Sequence, residues 1–586
     1  VHAVFVRAPF AAADIKSIDV DDARSLPGVL GVFTADDINR AELGQLRCAV
    51  TMPGQRDITR PILAEGSVRH VGEIVAMVVA ETVEAAKDSA EAVFVDYETK
   101  QSVVSPFDAI QNSARTVHPA APDNTAYEWD HGTRTDVDRA IQSAAHVVTV
   151  SAQSGRIIVN PMETRCALAE YEPEDQSFTL YTPTQGAHKL RDILAEEVFG
   201  IEQSQLRVVT EDVGGAFGIK LQAYPEHVLV LFAARELGKP VRWVADRTEG
   251  FLADAHGRAQ HNTARLALDS EGKFTALSVE SLADMGAYLS TFNTSIASAG
   301  GTKVLGHTYK IPDMHVAVRG VMTNTPPVDA YRGAGKPEIV FVLERAIEEA
   351  AYQLGIDPAE LRRRNLLKPS DLPYTMGSGQ IIDSGDFPTL FERALHQADW
   401  QGFPARRADA EARGLCAGIG VSLHMHASGG FPNELSEIEI ASDGRIMVRT
   451  GTQSGGQGHE TVFAKLVADR LGLNAERVQV TQGDTALLAR GGGTGGSSSL
   501  PIAAVNLTKA AEILIQRGKD FAAEALETAA ADIEYAQGVF TVVGTDRSIG
   551  LFSLAAQVPD LAQQMGSPEN TLSAGCDFDG PYATFP

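Results

Sequence analysis

The sequence predicts an α+β protein of several domains, with mixed sheets and an internal repeat, and three observations carry that prediction. At 586 residues the chain has room for two to four domains of roughly 150 residues each. Short apolar strands alternate with amphipathic helices from the start, with turns marked by Pro27-Gly28 and Pro53-Gly54. One unit then occurs twice: strand, glutamine–glycine loop, helix, glycine, strand, glycine-rich loop.

Composition narrows the function. A formal charge of −26 argues against nucleic acid or an anionic membrane surface as partner. The longest apolar runs, Val75 to Ala80 and Val228 to Ala234, are too short to span a bilayer. Cys48, Cys166, Cys416 and Cys576 lie far apart with no C-x-x-C. That spacing suits neither a disulfide framework nor a metal cluster held by this chain alone, and it favours a reducing, cytoplasmic location. The chain opens on Val1 with no initiator methionine or leader pattern, and reads as cut there.

In the first part, Val71 to Ala80 is an apolar strand, Val83 to Val93 an amphipathic helix and Val93 to Tyr97 a further strand. Polar Gln111 to Asn124 is expected to be a linker, setting a first domain at 1–112 and a second at 125–370. The second opens its repeat with a strand from Gln176 to Thr182, the loop Pro183-Thr184-Gln185-Gly186 and a helix from Ala187 to Phe199. Leu190, Ile193, Leu194 and Val198 give that helix one apolar stripe. The strand Leu206 to Thr210 then runs into Glu211-Asp212-Val213-Gly214-Gly215-Ala216-Phe217-Gly218-Ile219-Lys220. Glycines there allow positive φ and close approach of backbone N–H groups to a ligand, and Phe217 between them is a large apolar surface on a loop. No Gly-Lys-Ser/Thr follows this loop and its own glycine spacing is not G-x-G-x-x-G, so the standard nucleotide loops do not fit it.

Asp269-Ser270-Glu271-Gly272 is read as a hairpin turn, and Pro326 to Lys336 as a loop entering a helix with Pro337 in its first turn. Irregular Lys368 to Asp383 marks the boundary to a third domain, 384–586. It repeats the second: a Ser442-Asp443-Gly444 turn, a strand Arg445 to Thr450, the loop Gly451 to Gly458, a helix His459 to Leu471, Gly472 and a strand ending at Val480. Setting Gly472 against Gly200 gives an offset of 472 − 200 = 272, which pairs Gln185 with Gln457. Counting from the upstream strand pairs it with Gln453 instead. The second copy ends in Gly491-Gly492-Gly493-Thr494-Gly495-Gly496-Ser497-Ser498-Ser499. Two such units facing one crevice would present glycine backbone, a glutamine amide and a helix N-terminus each. That combination suits a large cofactor with a pterin edge or a metal-oxo group better than a simple phosphate.

These motifs, in this order, make the chain resemble the molybdenum-binding large subunit of the xanthine oxidase family, which includes aldehyde oxidoreductases and aerobic carbon monoxide dehydrogenases. The resemblance runs through Phe5-Val6-Arg7-Ala8-Pro9, Thr184-Gln185, Gly214 to Lys220, and Asp284-Met285-Gly286-Ala287-Tyr288. It continues through Ala330-Tyr331-Arg332-Gly333-Ala334-Gly335-Lys336-Pro337-Glu338, Gly456-Gln457-Gly458-His459-Glu460-Thr461 and the 491–499 loop. It implies an N-terminal α/β-hammerhead domain followed by a two-part molybdopterin-binding domain. The implied cofactor is molybdenum–molybdopterin cytosine dinucleotide, with no side chain needed as a metal ligand.

The implied chemistry is oxidation of an aldehyde or aromatic N-heterocycle with oxygen from water. Electrons would pass to a small iron–sulfur subunit carrying [2Fe–2S] and a medium subunit carrying FAD, in a dimer of heterotrimers. By the same resemblance Gln185, Phe217 and Arg332 are the catalytic residues: Gln185 faces the apical oxo group, Phe217 and Gly218 wall the metal, Arg332 lies beside it, and Gly215 is a further cofactor-binding residue. Gly456, Gln457, Gly458 and Ser497, Ser498 and Ser499 hold the pterin and dinucleotide.

Departures from the family narrow the substrate. Leu221 stands where purine hydroxylases carry a Glu, and Gly333 where carbon monoxide dehydrogenases carry a copper-binding Cys, although Ile219 and Tyr224-Pro225 resemble that branch. The alternatives are therefore a carbon monoxide dehydrogenase-like subunit or an inactive cofactor-binding fragment. The family's general base is a Glu in a C-terminal Gly-x-Gly-Glu loop, and no such loop follows the Gly/Ser motif before Pro586. The 586 residues alone are therefore expected not to hydroxylate a substrate. Val71-Gly72-Glu73 mimics the motif but begins a strand of the first domain. Glu163 is expected to pair with the nearby Arg165, and Glu338 and Glu460 to open helices. His424 and His426 are read as one face of a strand, and Arg362-Arg363-Arg364 as a solvated helix end.

Overall fold

The computed structural model describes residues 1–429, 434–441 and 443–578. Its largest sheet has seven strands in the order Leu206–Val209, Ser177–Tyr181, Cys166–Glu172, Val241–Val244, His2–Arg7, Ile74–Ala80 and Val29–Phe33. The expected break between 112 and 125 therefore does not separate two sheets. His2 pairs in parallel with Arg242, and Arg242 donates its N–H to the Val1 carbonyl. Ile74–Ala80 is buried at every position, as its unbroken apolar run demands of a strand covered on both faces. A small sheet of Ser67–Val68, Ala13–Asp19 and Phe94–Thr99 completes the N-terminal region.

The stretch expected to be a linker is packed instead. Val117, Ala121 and Asn124 are buried, and the Asn124 amide accepts from Val117 N–H and donates to the Ala109 and Arg115 carbonyls. A buried polar side chain must satisfy its hydrogen bonds, so Asn124 clamps the segment onto the core. The next sheet has five strands: Thr125–Gly132, Asp313–Met322, Phe274–Gly286, Gln260–Leu268 and His146–Ser154. Gln260–Leu268 and Phe274–Gly286 form the expected hairpin, and the helix Lys336–Leu354 packs its buried Val342, Leu343, Ala346 and Ile347 into the same core.

The repeat is present as architecture. In the first unit Cys166–Glu172 and Ser177–Tyr181 form an antiparallel pair. A helix, Ala187–Asp192 continuing as a π-helical stretch Ile193–Phe199, then crosses to a parallel strand, Leu206–Val209. In the second, Glu434–Ile440 and Ile446–Thr450 pair antiparallel, and the helix His459–Leu471 crosses to a parallel strand, Val478–Thr481. Each unit continues through a glycine-rich loop into a second helix, Pro225–Leu237 or Ser499–Ala525. Each gains an antiparallel strand beside its first, Val241–Val244 or Leu572–Phe578. The repeat is thus longer than the sequence pattern alone suggests.

Register settles the alignment. Phe178 lies opposite Leu206 and Ile446 opposite Val478, so the first strands are offset by 446 − 178 = 268 and the second by 478 − 206 = 272. The four extra residues lie in the strand-to-helix loop that holds Gly455 to Gly458. Of the turn expected at 442–444, Ser442 lies outside the described residues. Asp443 accepts from Arg445 N–H, and Gly444 sits at φ 89°. Among the described residues no helix is long and apolar enough to cross a membrane.

Candidate active site

The two units meet at a cleft of about 560 Å³ lined by Gln185, Phe217 and Gly218 from the first and by Gly456, Gln457, Ser497 and Ser499 from the second. A third wall is the loop from Ala330 to Lys336. The cleft forms because three loops are held back to back. Gly218 takes φ 112°, and a Cβ there would sit 2.3 Å from the Ala330 carbonyl oxygen, so only glycine permits the approach. Arg332 N–H donates to the Phe217 carbonyl at 2.9 Å and completes that joint. Phe217 itself sits at φ 56° and is 46% exposed, the open apolar surface the sequence suggested. Its ring lies 5.9 Å from the Arg332 guanidinium.

Gln185 ties the units together. Its Nε2 donates to the Thr494 carbonyl at 2.8 Å and its Oε1 accepts from Gly218 N–H at 2.8 Å. Its backbone carbonyl accepts from Thr494 N–H at 2.7 Å. One Nε2 hydrogen has no partner among the described residues. By strand register Gln185 corresponds to Gln453, since 185 + 268 = 453, and the two reach in opposite directions. Gln453 Nε2 donates to the Glu211 carbonyl, at the start of the first unit's glycine loop. Gln457, the partner by helix register, turns its Oε1 back onto Gly455 N–H of its own loop.

The electrostatics of the cleft oppose those of the chain. None of its lining residues is Asp or Glu, whereas Arg332, Lys336, His426 and His459 all face it. Three helices begin at its rim: Lys336–Leu354, His459–Leu471 and Ser499–Ala525. Helix N-termini and clustered backbone N–H groups favour anions. In a chain of −26, a carboxylate-free cleft ringed by helix starts and cations fits a phosphate-bearing group. Gly456, at φ 105° with open space where a Cβ would project, leaves backbone accessible to it.

Three of the residues singled out in the sequence stand one layer back. Gly215 lies behind the Phe217 ring, which a Cβ would approach to 2.9 Å, and Gly458 caps the helix His459–Leu471 in the left-handed conformation. Ser498 is buried and donates its hydroxyl to the Gly495 carbonyl. Leu221, Tyr331, Lys336, His426, Thr494 and Leu500 also line the cleft and were not singled out for it. Position in the Tyr-Arg-Gly and Gly/Ser motifs was the available signal for Tyr331, Lys336 and Thr494, and adjacency to the second motif for Leu500.

Several expectations are corrected. His424 and His426 lie outside any regular strand; His426 Nε2 instead bonds Ser497 Oγ at 2.9 Å. Glu163 pairs with Lys220, Oε2 to Nζ at 2.6 Å, and accepts from Gly214 N–H. Arg165 is turned away from it, buried under the Tyr224 ring, where Glu226 and Asp254 meet its guanidinium. Arg362 is also buried, bound by Glu344 and Glu348, because a cation at that depth requires paired carboxylates. Glu73 is buried against Tyr288 and Arg69 N–H and does not line the cleft. Glu338 is engaged by Arg258 and Glu460 by Gln482, each near a helix start as expected. Among the described residues no His, Cys, Asp and Glu cluster could hold a metal ion.

Comparison with known proteins identifies three domains along the chain. Residues 1–101 match the aldehyde oxidase and xanthine dehydrogenase a/b hammerhead domain, and residues 117–366 and 393–584 each match a molybdopterin cofactor-binding domain. The nicotine 6-hydroxylase large subunit of Paenarthrobacter nicotinovorans is 32% identical over 93% of this chain and 68% of its own. The carbon monoxide dehydrogenase large chain of Hydrogenophaga pseudoflava is 32% identical over 100% of this chain and 75% of its own. The crystal structure of quinoline 2-oxidoreductase from Pseudomonas putida 86 superposes with a TM-score of 0.92 at 34% identity, covering 100% of this chain and 76% of that one.

Proposed function

The chain belongs to the molybdopterin-binding large subunits of the xanthine and aldehyde oxidoreductase family, and from that membership we propose that it hydroxylates an aldehyde or an aromatic N-heterocycle in the cleft between its two units. It is a molybdenum-dependent oxidoreductase subunit, and its relatives are large subunits of multi-subunit enzymes. Bound in the cleft, the molybdenum cofactor would supply two-electron oxidation of carbon with oxygen drawn from water. The finer assignments are ours: the cytosine dinucleotide form, [2Fe–2S] and FAD on partner subunits, a dimer of heterotrimers, and a cytoplasmic location.

In this proposal the backbone N–H groups of Gly456, Gln457 and Gly458 and the start of the helix at Ser499 hold the pterin and its phosphates. Phe217 shields the reacting carbon from water on one side, and Arg332 offsets negative charge beside it. Gln185 directs its remaining Nε2 hydrogen into the cleft, where a fixed donor gains strength as charge builds on an acceptor. Two observations narrow the substrate. Leu221 offers no carboxylate to a purine. A Cβ at Gly333 would lie 2.9 Å from the Pro337 ring, and Gly333 sits at φ 90°, so the backbone there does not suit a copper-binding cysteine.

The observation that carries the proposal is Gln185, fixed by both units with one N–H to spare. In the assembled holoenzyme, Gln185→Ala should lower kcat by roughly 10²-fold, the scale of losing one preorganised donor. Molybdenum content should fall by much less. Equal loss of molybdenum and turnover would make Gln185 a cofactor anchor and remove this support.

A further inference from the structure

We propose that the substrate oxidised in this cleft carries a carboxylate and that Lys336 pairs with it. The proposal rests on the hydroxylase function above and adds the substrate's charge. Lys336 opens the helix Lys336–Leu354, lines the cleft and is only 6% exposed. Among the described residues its ammonium has no ion pair and no hydrogen bond. Its placement is unfavourable twice over. A buried cation without a counter-charge bears a large desolvation cost, and the first turn of a helix is the end that repels positive charge.

Its neighbours do not relieve it. Burial, then Lys303, push the Lys336 ammonium down to about 8. Glu338, the carboxylate that acts against that shift, is held by Arg258 at 3.3 Å. His426 faces Lys336 and is itself pushed down to about 4 by burial and then by Lys336, so it stands neutral beside it. At neutral pH Lys336 is mostly protonated, with a lysine and a neutral imidazole around it and its one nearby carboxylate already committed. The missing partner is an anion that enters the cleft.

Two sources could supply one: a phosphate of the cofactor or a carboxylate on the substrate. The surroundings favour the second. The cleft's loop nests and helix starts at Gly456 to His459 and Ser497 to Ser499 already provide what a phosphate needs. The lining that Lys336 shares with Leu221, Tyr331, Leu500 and the exposed Phe217 ring is apolar and partly aromatic. A flat ring against those side chains, with a carboxylate reaching the ammonium, satisfies both surfaces together. A phosphodiester would satisfy only one.

The test uses the assembled holoenzyme and the variants Lys336→Met and Lys336→Arg. Benzoate, which carries no oxidisable aldehyde, should protect Lys336 from acetylation by acetic anhydride, read by peptide mass spectrometry, and benzamide should not. Wild-type kcat/KM should favour 3-carboxybenzaldehyde over benzaldehyde, or nicotinate over nicotinamide. That preference should collapse by about 30-fold or more in Lys336→Met, as for removal of one partner of a buried charge pair, and return in part with Lys336→Arg. Molybdenum and nucleotide content should hold in both variants. Loss of nucleotide from Lys336→Met, with no change in the acid preference, would assign Lys336 to a cofactor phosphate and overturn the proposal. Turnover of neutral compounds with no acid preference and no protection by benzoate would overturn it while leaving the hydroxylase function standing. Protection by benzoate with no turnover of any compound would leave the anion site standing and sink the hydroxylase function.

Discussion

The two repeat units bury an ionisable side chain at the same place and stabilise it by opposite means. Leu168 pairs with Tyr181 and Glu437 with Arg449, and Tyr181 and Arg449 occupy equivalent positions opposite Val209 and Thr481. Three residues back, Arg165 therefore corresponds to Glu434. In the first unit Arg165 is fully paired, by Asp254 at 2.6 Å and Glu226 at 3.0 Å, and Arg7 adds a second cation on Glu226. Burial alone would push the Glu226 carboxyl up, but Arg165 and Arg7 hold it well below the usual carboxylate range. In the second unit Glu434 is 2% exposed and meets only neutral donors, Gly492 N–H at 2.8 Å and the Thr450 hydroxyl at 3.0 Å. Burial pushes its carboxyl up to about 7 against those hydrogen bonds. The strand geometry is common to both units, so the difference lies in the side chains around it. The first unit is braced by ion pairs that join it to the N-terminal strands, and the second by a carboxyl that can take up a proton behind the glycine loop of the cleft.

Breaking the brace should give the largest effect. Arg165→Met keeps much of the volume but leaves Asp254 and Glu226 buried with less counter-charge. Loss of one partner from a buried ion pair costs about 3–5 kcal/mol, and that destabilisation should appear as a lower unfolding temperature of the holoenzyme. A variant that unfolds like the wild type would show that the first unit does not depend on its ion pairs.

The second unit should respond through pH. Glu434 is raised above its ordinary value near 4.5, so its stabilising contribution is complete below that value and is lost as pH rises through about 7. Glu434→Gln keeps a neutral side chain, with an oxygen to accept from Gly492 N–H and an NH2 that donates to the Thr450 hydroxyl, and carries no such loss. Relative to the variant, the wild type should therefore lose stability between about pH 5 and pH 8, by at most roughly 3 kcal/mol. Denaturation across that range checks it, and parallel pH profiles for the two proteins would erase the contrast between the units.

How legible all this was follows from where the determining contacts lie. The helix His459–Leu471 was readable to the residue because left-handed glycines, Gly458 and Gly472, cap both its ends. The cleft loops were readable because glycine at Gly218 is enforced by a backbone contact with Ala330, which leaves its mark in sequence. The seven-stranded sheet was not. Its closing pair joins His2 to Arg242, and no local periodicity reports a pairing across that distance. Arg362 looked like a surface charge and Arg165 like a partner of Glu163, because their true partners, Glu344 and Glu226, lie on helices distant in sequence. Lys336 stood inside a recognised motif, yet the motif carries no sign that its ammonium would be buried.

The smallest expected effect isolates the two glutamines that register makes equivalent. Gln185 holds both ends of its amide at 2.8 Å, lines the cleft and keeps one Nε2 hydrogen without a partner among the described residues. Gln453 donates to the Glu211 and Ser454 carbonyls at 3.2 Å each, and its buried Oε1 has no partner among the described residues. A Cβ on Gly483 would lie 2.3 Å from that oxygen, so a glycine backbone crowds it where a donor would have to stand. Gln453→Ala gives up two long neutral hydrogen bonds and also removes an unsatisfied acceptor, so its net cost should be about 1 kcal/mol or less. Turnover should change only a few-fold, because Gln453 does not line the cleft. The measurement is kcat and molybdenum content for Gln453→Ala beside Gln185→Ala. If the two variants lose turnover equally, the units share the cleft evenly, and the asymmetry that assigns Gln185 to the reacting end is wrong.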